Sequence, residues 1–193
     1  MENLTDTAIF LVRSLFGIYL IFILLRILLS HAHAGYHNPL AQFILKVTNP
    51  LLLPLRRIIP YHRKIDLAAI ALLLVVKLVQ LYLYGWLQTH EILNIGAILI
   101  WSIGELLSLL LTLLFWAMIM QAILSWITTA RSNFAPIQLL LNHLTAPILQ
   151  PIQRFIPPIA GIDISLFIAI LLIKVIDMLI AIPIIQFGVG LAM

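Results

Sequence analysis

Cysteine is absent from the 193 residues, which excludes disulfides, thiolate metal ligation and a cysteine nucleophile. Charge is scarce too. Asp, Glu, Lys and Arg make up 9% of the chain and hydrophobic residues 63%, whereas a water-soluble domain carries about 25% charged and about 45–50% apolar residues. A chain this short cannot hide that much apolar surface from water, so its solvent is lipid. The sequence also lacks a phosphate-cradling glycine loop, an HExxH zinc motif, a GxSxG elbow and paired acid–base carboxylates. No catalytic activity and no cofactor are therefore expected. His31, His33 and His37 flank Gly35 at spacings that fit no single helix face, with no acidic residue beside them. A solvated turn is the expectation there, and no metal site.

What the chain does have is long apolar runs. A spanning helix needs roughly 20 such residues, and four stretches qualify: Ala8–Ser30, Ile65–Leu87, Gly104–Ile127 and Ile162–Ile185. Although "AHA" at Ala32–Ala34 has the form of a cleavage site, Glu2 and Asp6 make the leader acidic. The first run also exceeds a signal peptide's apolar region, so it is expected to be retained.

The chain repeats itself. At an offset of 97, Thr48, Pro50, Leu52, Pro54, Arg57, Ile59, Pro60, Ile65, Asp66, Leu74 and Lys77 meet identical residues from Thr145 to Lys174, eleven identities in thirty ungapped positions. Apolar residues recur by chance in lipid-facing segments, but Pro, Arg, Asp and Lys do not. Upstream the offset becomes 95, placing Phe22–Ser30 on Ala117–Ser125 and Arg26 on Gln121. The expected fold is all-α and integral to the membrane: four transmembrane helices in two parallel tandem repeats, residues 1–94 and 95–193. Each repeat reads as span, helical interfacial linker (31–64 or 128–161) and span. Two spans return the chain to its starting side, so the copies share an orientation and are related by a pseudo-twofold along the membrane normal.

The net charge is +4, which in a soluble protein would suggest nucleic acid; its placement here suggests lipid instead. Lys46, Arg56, Arg57, Arg63 and Lys64 lie in the first linker and Arg131 and Arg154 in the second, while the segments on the other side carry no Lys or Arg. The positive-inside rule then puts both linkers in the cytoplasm and both termini outside.

Within the linkers, Asn38 can cap a helix that Pro39 opens. Leu40, Phe43, Ile44 and Val47 form an apolar stripe opposite Gln42 and Lys46, and Ile137, Leu140, Leu141 and Leu144 repeat it. The phrases "PLLLPLRRIIP" (50–60) and "PILQPIQRFIP" (147–157) follow. Pro50 is expected to open a second, short helix that Pro54 breaks and Pro60 ends, with Pro147, Pro151 and Pro157 as counterparts. This piece lies at headgroup depth or packs shallowly on the bundle.

Asp66 and Asp163 stand at the starts of the second and fourth spans, as N-caps or as partners of Arg57 and Arg154. Those arginines, with Arg56, also suit anionic headgroups. Lys77 and Lys174 fall near mid-membrane, where Lys costs about 2.5–3.5 kcal/mol on insertion scales and usually faces a bundle interior or an aqueous cavity. Asp177 is within helical reach of Lys174, and Gln80 within reach of Lys77. These lysines either pair structurally or line a path. Arg26 and Gln121 sit near the depth of Asp66 and Asp163, and an Arg26–Asp66 bond is one expected tie. Arg13 and Glu105 are expected to reach water at the outer ends of their spans.

"PILQPIQRFIPPIAGIDIS" (147–165) resembles the motif of the YggT family of small bacterial inner-membrane proteins, whose plastid and cyanobacterial relatives are called YlmG. The resemblance spans nearly the whole chain. Its matching residues are Pro147, Pro151, Arg154, Pro157, Gly161 and Asp163, with Pro50, Pro54, Arg57, Pro60 and Asp66 in a first copy where "YHRK" (61–64) replaces the stretch ending in glycine. The resemblance implies a role in osmotic tolerance or in organising and assembling membrane machinery, without established catalysis. The expected partners are anionic membrane lipids and a membrane protein or second copy, with no nucleic acid. The alternative is a small oligomeric transporter or channel subunit working through Lys77 and Lys174.

Overall fold

The computed structural model describes residues 2–31, 38–59, 66–89, 94–127, 135–155 and 164–192. Pro60, Pro157, Gly161, Asp163, His33 and His37 lie outside these residues, as does the side chain of His31. Every element is helical: α1 (Glu2–His31), α2 (Pro39–Ile58), α3 (Leu67–Thr89), α4 (Ile95–Ile127), α5 (Ala135–Phe155), α6 (Ile164–Ile176), a π-helical segment (Asp177–Ala181) and α7 (Ile182–Ala192). α1, α3, α4 and the run from α6 through α7 are long and apolar enough to cross a membrane. The shorter α2 packs on α1 and α3, and the shorter α5 on α4 and α6; the end of the bundle where α1 and α4 finish is hereafter the linker end.

Each half has its own core. Leu20, Ile23 and Leu24 of α1 pack with Leu52 of α2 and with Ala68, Ala69, Leu72 and Leu73 of α3. Leu111, Leu114 and Met118 of α4 pack with Leu149 of α5, with Ala169 and Ile173 of α6 and with Ala181. Leu52 and Leu149 occupy the same repeat position and play the same part, anchoring a linker helix on its pair of spans. The halves meet where α3 packs on α4 and, at the linker helices, where Leu29, Ala41 and Ile44 pack with Leu140 and Leu144; among the described residues α1 makes no contact with α6 or α7.

Two helices overrun their expected bounds. α4 starts at Ile95, not Gly104, because Asn94 caps it by accepting the Gly96 N–H at 2.9 Å. The final helical run continues to Ala192 and buries Gly188. Two glycines permit close packing here. A Cβ at Gly104 would stand 2.8 Å from the Ile185 backbone nitrogen, and one at Gly188 would stand 2.5 Å from that of Trp101. α4 and α7 therefore touch backbone to backbone, the approach that small residues allow between membrane helices. Between α6 and α7 the turn widens, with the Ile182 N–H bonded to the Asp177 carbonyl five residues back. Pro183 follows at once. It has no N–H to give the carbonyl four residues earlier and its ring would clash there, which the wider turn relieves.

Within each linker the described residues form one continuous helix through the first two prolines of its phrase, where a break between two pieces was expected. Pro50 and Pro54 lie inside α2, and Pro147 and Pro151 inside α5. Each proline forfeits one backbone bond, but the four-residue spacing keeps all four on the exposed side of their helices. The freed carbonyls thus face outward, away from the packed core, and the inner face stays intact. That inner face holds Ala41, Ile44, Thr48 and Leu52. It differs from the expected stripe, since Phe43 is 54% exposed. In α5, Leu140, Leu141 and Leu144 of the apolar stripe are buried together with Leu149.

Candidate functional site

Two polar clusters interrupt the apolar bundle. The first is at the linker end. α1 carries Arg26 one turn inside its end, and the i, i+4 series Ile44, Thr48, Leu52, Arg56 runs along the bundle-facing side of α2. Arg26 is buried and donates to Thr48 Oγ1 at 2.6 Å and Asn49 Oδ1 at 2.8 Å, with the Leu45 carbonyl at 3.5 Å. Thr48 in turn donates to the Ile44 carbonyl at 2.8 Å. Asp66 is buried at the head of α3, where Oδ1 accepts the Ala69 N–H at 3.2 Å and Oδ2 pairs with Arg56 Nη2. The carboxylate is thus both helix cap and ion-pair partner.

That pair corrects one expectation. Arg56 takes Asp66, and Arg57, turned about 100° away on a 3.6-residue helix, is exposed. The described bonds of Arg26 go to α2; Arg26 and Asp66, for which a direct tie was expected, line one cavity of about 320 Å³ with Ser30, Asn49 and Arg56.

The second half rebuilds part of this cluster in neutral form. Thr145 Oγ1 donates to Gln121 Oε1 at 2.6 Å, with the Leu141 carbonyl at 2.9 Å. Gln121 thus meets Thr145 where Arg26 meets Thr48, but as an acceptor, whereas Arg26 is the donor. Asn38 also ties the linkers together, accepting the Leu40 N–H at 2.9 Å while its Nδ2 donates to the Pro136 carbonyl at 2.7 Å. Arg154 is exposed in the last turn of α5, as Arg57 is in α2.

The second cluster lies deeper, between α1, α3 and α4. Lys77 is buried and donates to Gln80 Oε1 at 2.9 Å and Glu105 Oε2 at 3.1 Å. Gln80 Nε2 reaches the Arg13 carbonyl at 3.3 Å, and Trp101 Nε1 donates to Glu105 Oε1 at 3.4 Å. The Arg13 guanidinium lies 5.0 Å from the Tyr84 ring centroid. These side chains, with Ser108 and Thr112, line a cavity of about 300 Å³. Glu105 therefore serves Lys77, where the expectation had it reaching water.

Lys174 matches Lys77 in sequence and differs in setting. Its side chain is 42% exposed, 3.8 Å from Asp177 Oδ2 and 4.6 Å from the Phe115 ring centroid. The other Asp177 oxygen, Oδ1, is buried without a hydrogen-bond partner among the described residues. No group of three or more His, Asp or Glu side chains suited to a metal gathers among the described residues.

Glu105, Trp101, Thr48, Asn49 and Thr145 escaped the sequence reading as site residues. One signal was there: Glu105 is the sole ionisable residue of α4.

Four apolar spans, two shorter helices packed on them and ion pairs sunk between them define a polytopic membrane protein. The chain belongs to the CCB3/YggT family, which matches it twice, over residues 5–87 and 100–184. It is similar to an uncharacterised protein of Pseudomonas aeruginosa, 40% identical over 181 residues that cover 93% of this chain and 91% of the relative. YggT of Escherichia coli K12 is 38% identical over 178 residues, 90% of this chain and 88% of that one. An uncharacterised protein of Haemophilus influenzae is 30% identical over 164 residues, 84% of each chain. No solved structure matches.

Proposed function

We propose that this chain is a non-enzymatic protein of the bacterial inner membrane, with both linkers cytoplasmic and both termini outside. In this reading its linker face binds anionic lipid or a membrane partner, and so organises membrane machinery or supports osmotic tolerance. The observation that carries the reading is the way α2 and α5 are fastened. Side-chain bonds pin each to its own spans, through Arg26–Thr48 and Gln121–Thr145, and Asn38 joins the two. The outward sides keep Phe43, Leu51, Leu53, Ile58 and Phe155 exposed beside Arg57 and Arg154. Large apolar side chains next to exposed arginine suit the headgroup layer, where each basic residue contributes about 1 kcal/mol of attraction to anionic lipid.

A transport role finds support in the cavity at Lys77 and Glu105, but not in a path through both lysines, since Lys174 lies outside that cavity on the bundle surface. A growth experiment separates the readings. With the chromosomal copy replaced, Arg57→Glu/Arg154→Glu is expected to lower growth after osmotic upshift to the level of a deletion, and Lys77→Met/Glu105→Gln, which removes both partners of the pair and is compared at wild-type protein level in the membrane, to leave it at wild type. The reverse pattern supports transport and overturns the linker-face reading.

A further inference from the structure

The four spans stand in a row. α1 packs on α3, α3 on α4, and α4 on the run from α6 to α7, while among the described residues α1 does not meet α6 or α7. The middle contact joins the second span of one repeat to the first span of the next. Leu106, Leu109, Leu110 and Leu113 of α4 pack there on the first core, and Glu105 accepts from Lys77. At the offset of 95 the places of Glu105 and these four leucines fall on α1 to Phe10, Leu11, Ser14, Leu15 and Ile18. Leu11, Leu15 and Ile18 are 48%, 64% and 54% exposed. The face with which α4 docks on α3 is thus repeated on α1, where it stands open.

The other end of the row is open in a complementary way. α6 is the counterpart of α3, and its Lys174 the counterpart of Lys77. Lys174 lies well inside the 29-residue apolar run Ile164–Ala192. Its ammonium rests over the Phe115 ring and 3.8 Å from Asp177 Oδ2, too far for a hydrogen bond to that carboxylate. Lipid covers leucine and phenylalanine well, but an ammonium at that depth is costly unless it faces protein or water. Lys77 escapes the cost because α4 covers it and brings Glu105.

We propose that a second copy of this chain covers Lys174, α1 of one chain packing on α6 of the next as α4 packs on α3 within the chain. Charge supports that occupant. In this contact Phe10 takes the place of Glu105, and Asp6 that of Trp101, whose indole reaches Glu105. Asp6 is exposed and stands one turn, about 5.4 Å, beyond Phe10 toward the N-terminal end of α1. An extended lysine spans that distance and gains a charge-assisted bond. The contact joins unlike faces, so it repeats from chain to chain until a ring closes. Both cores of a single chain lie away from it, and the fold of one chain does not depend on it.

The test is disulfide crosslinking in native membranes, which the absence of cysteine leaves free of background. Leu73 and Leu109 meet at the first core, and their counterparts are Ile170 and Ser14. Two differently tagged full-length chains are co-expressed, one carrying Ser14→Cys and the other Ile170→Cys. Oxidation is expected to link the two tags. The control pairs Ser14→Cys with Val75→Cys, on the exposed side of α3, and is expected to give little product. Equal yields from the two pairs overturn the proposal, because random collision then explains the link. So does a dominant link between two Ser14→Cys chains, which would mean a contact of like faces. Asp6→Asn in the Ser14→Cys chain is expected to lower the yield about threefold, as for a partly exposed ion pair; an unchanged yield overturns the pairing of Asp6 with Lys174. Native mass spectrometry of the unsubstituted chain, ejected directly from membrane vesicles, keeps the test open if a cysteine variant fails to fold. More than one copy per particle is expected there, and single chains alone overturn the proposal.

Discussion

Gly188→Ala tests whether α4 and α7 are held by backbone contact. A methyl group there would lie 2.5 Å from the Trp101 nitrogen, 2.7 Å from its Cα and 2.8 Å from its Cβ. Carbon contacts settle at about 3.5–4.0 Å, so the helices must part by roughly 1 Å or the chain must bend. Backbone cannot rotate aside as a side chain can. Overpacking of this kind costs about 1–3 kcal/mol, while alanine returns roughly 0.5–1 kcal/mol of helix propensity. Gly190→Ala removes that second term from the comparison, because it lies on the same helix and its Cβ would meet nothing within 4 Å. The difference between the variants is then the packing term alone. At about 2–4 °C per kcal/mol for a chain of this size, Gly188→Ala is expected to melt roughly 2–12 °C below Gly190→Ala when loss of the monodisperse peak is followed in detergent. Equal melting temperatures would refute the argument, since the added methyl would then have been accommodated without strain.

Lys77→Met is expected to destabilise the bundle in the same assay by about 1–3 kcal/mol, because it leaves the partly buried Glu105 without its cation; adding Glu105→Gln should recover part of the loss. Lys174→Met/Asp177→Asn, which removes both charges of the looser second pair, should be neutral or stabilising, as the Lys174 side chain is 42% exposed and 3.8 Å from Asp177; a loss as large as that of Lys77→Met would sink the distinction between the two lysines. Thr48→Val is expected to cost about 1–3 kcal/mol, since it removes an acceptor from a buried arginine, and Thr145→Val about 0.5–1.5 kcal/mol, since its partner Gln121 is neutral; protease sensitivity of α2 and α5 reads both, and a larger effect at Thr145 would contradict the ordering.

The spans were legible because apolar length is a one-dimensional property: α3 differs from the expected run by two residues at each end. The close approach of α4 and α7 was not, because Gly104 and Gly188 take their meaning from residues 81 and 87 positions away in the chain. The proline phrases misled for a related reason. A proline's cost depends on which face its freed carbonyl occupies, and that is known only once the helix has a neighbour. Arg56, by contrast, could have been assigned from the sequence. It continues the four-residue series of Ile44, Thr48 and Leu52, so the helix that buries those residues must aim Arg56 inward and Arg57 out. Glu105 stood out by being charged in an apolar span, but its pairing with Lys77 across 28 positions needed the packing of α3 on α4.

The two lysines show why identity between copies does not carry function with it. α3 lies between α1 and α4, so Lys77 finds a wall on either side, and Glu105, Gln80 and the Arg13 backbone complete a polar interior. The run from α6 to α7 has α4 beside it and, among the described residues, no contact with α1. The same residue at the same repeat position is therefore left on the surface, resting on Phe115. A closed pseudo-twofold would have given both lysines equivalent surroundings; the open arrangement does not. Selection acting on the arrangement would act differently on each copy, and the charged positions differ accordingly, with arginine at 26 and 56 against glutamine at 121 and 153. What the copies share, Thr48 and Thr145 or Leu52 and Leu149, fastens linker helices to spans. The shared residues build the scaffold twice, and the unshared ones decide which copy carries charge into it.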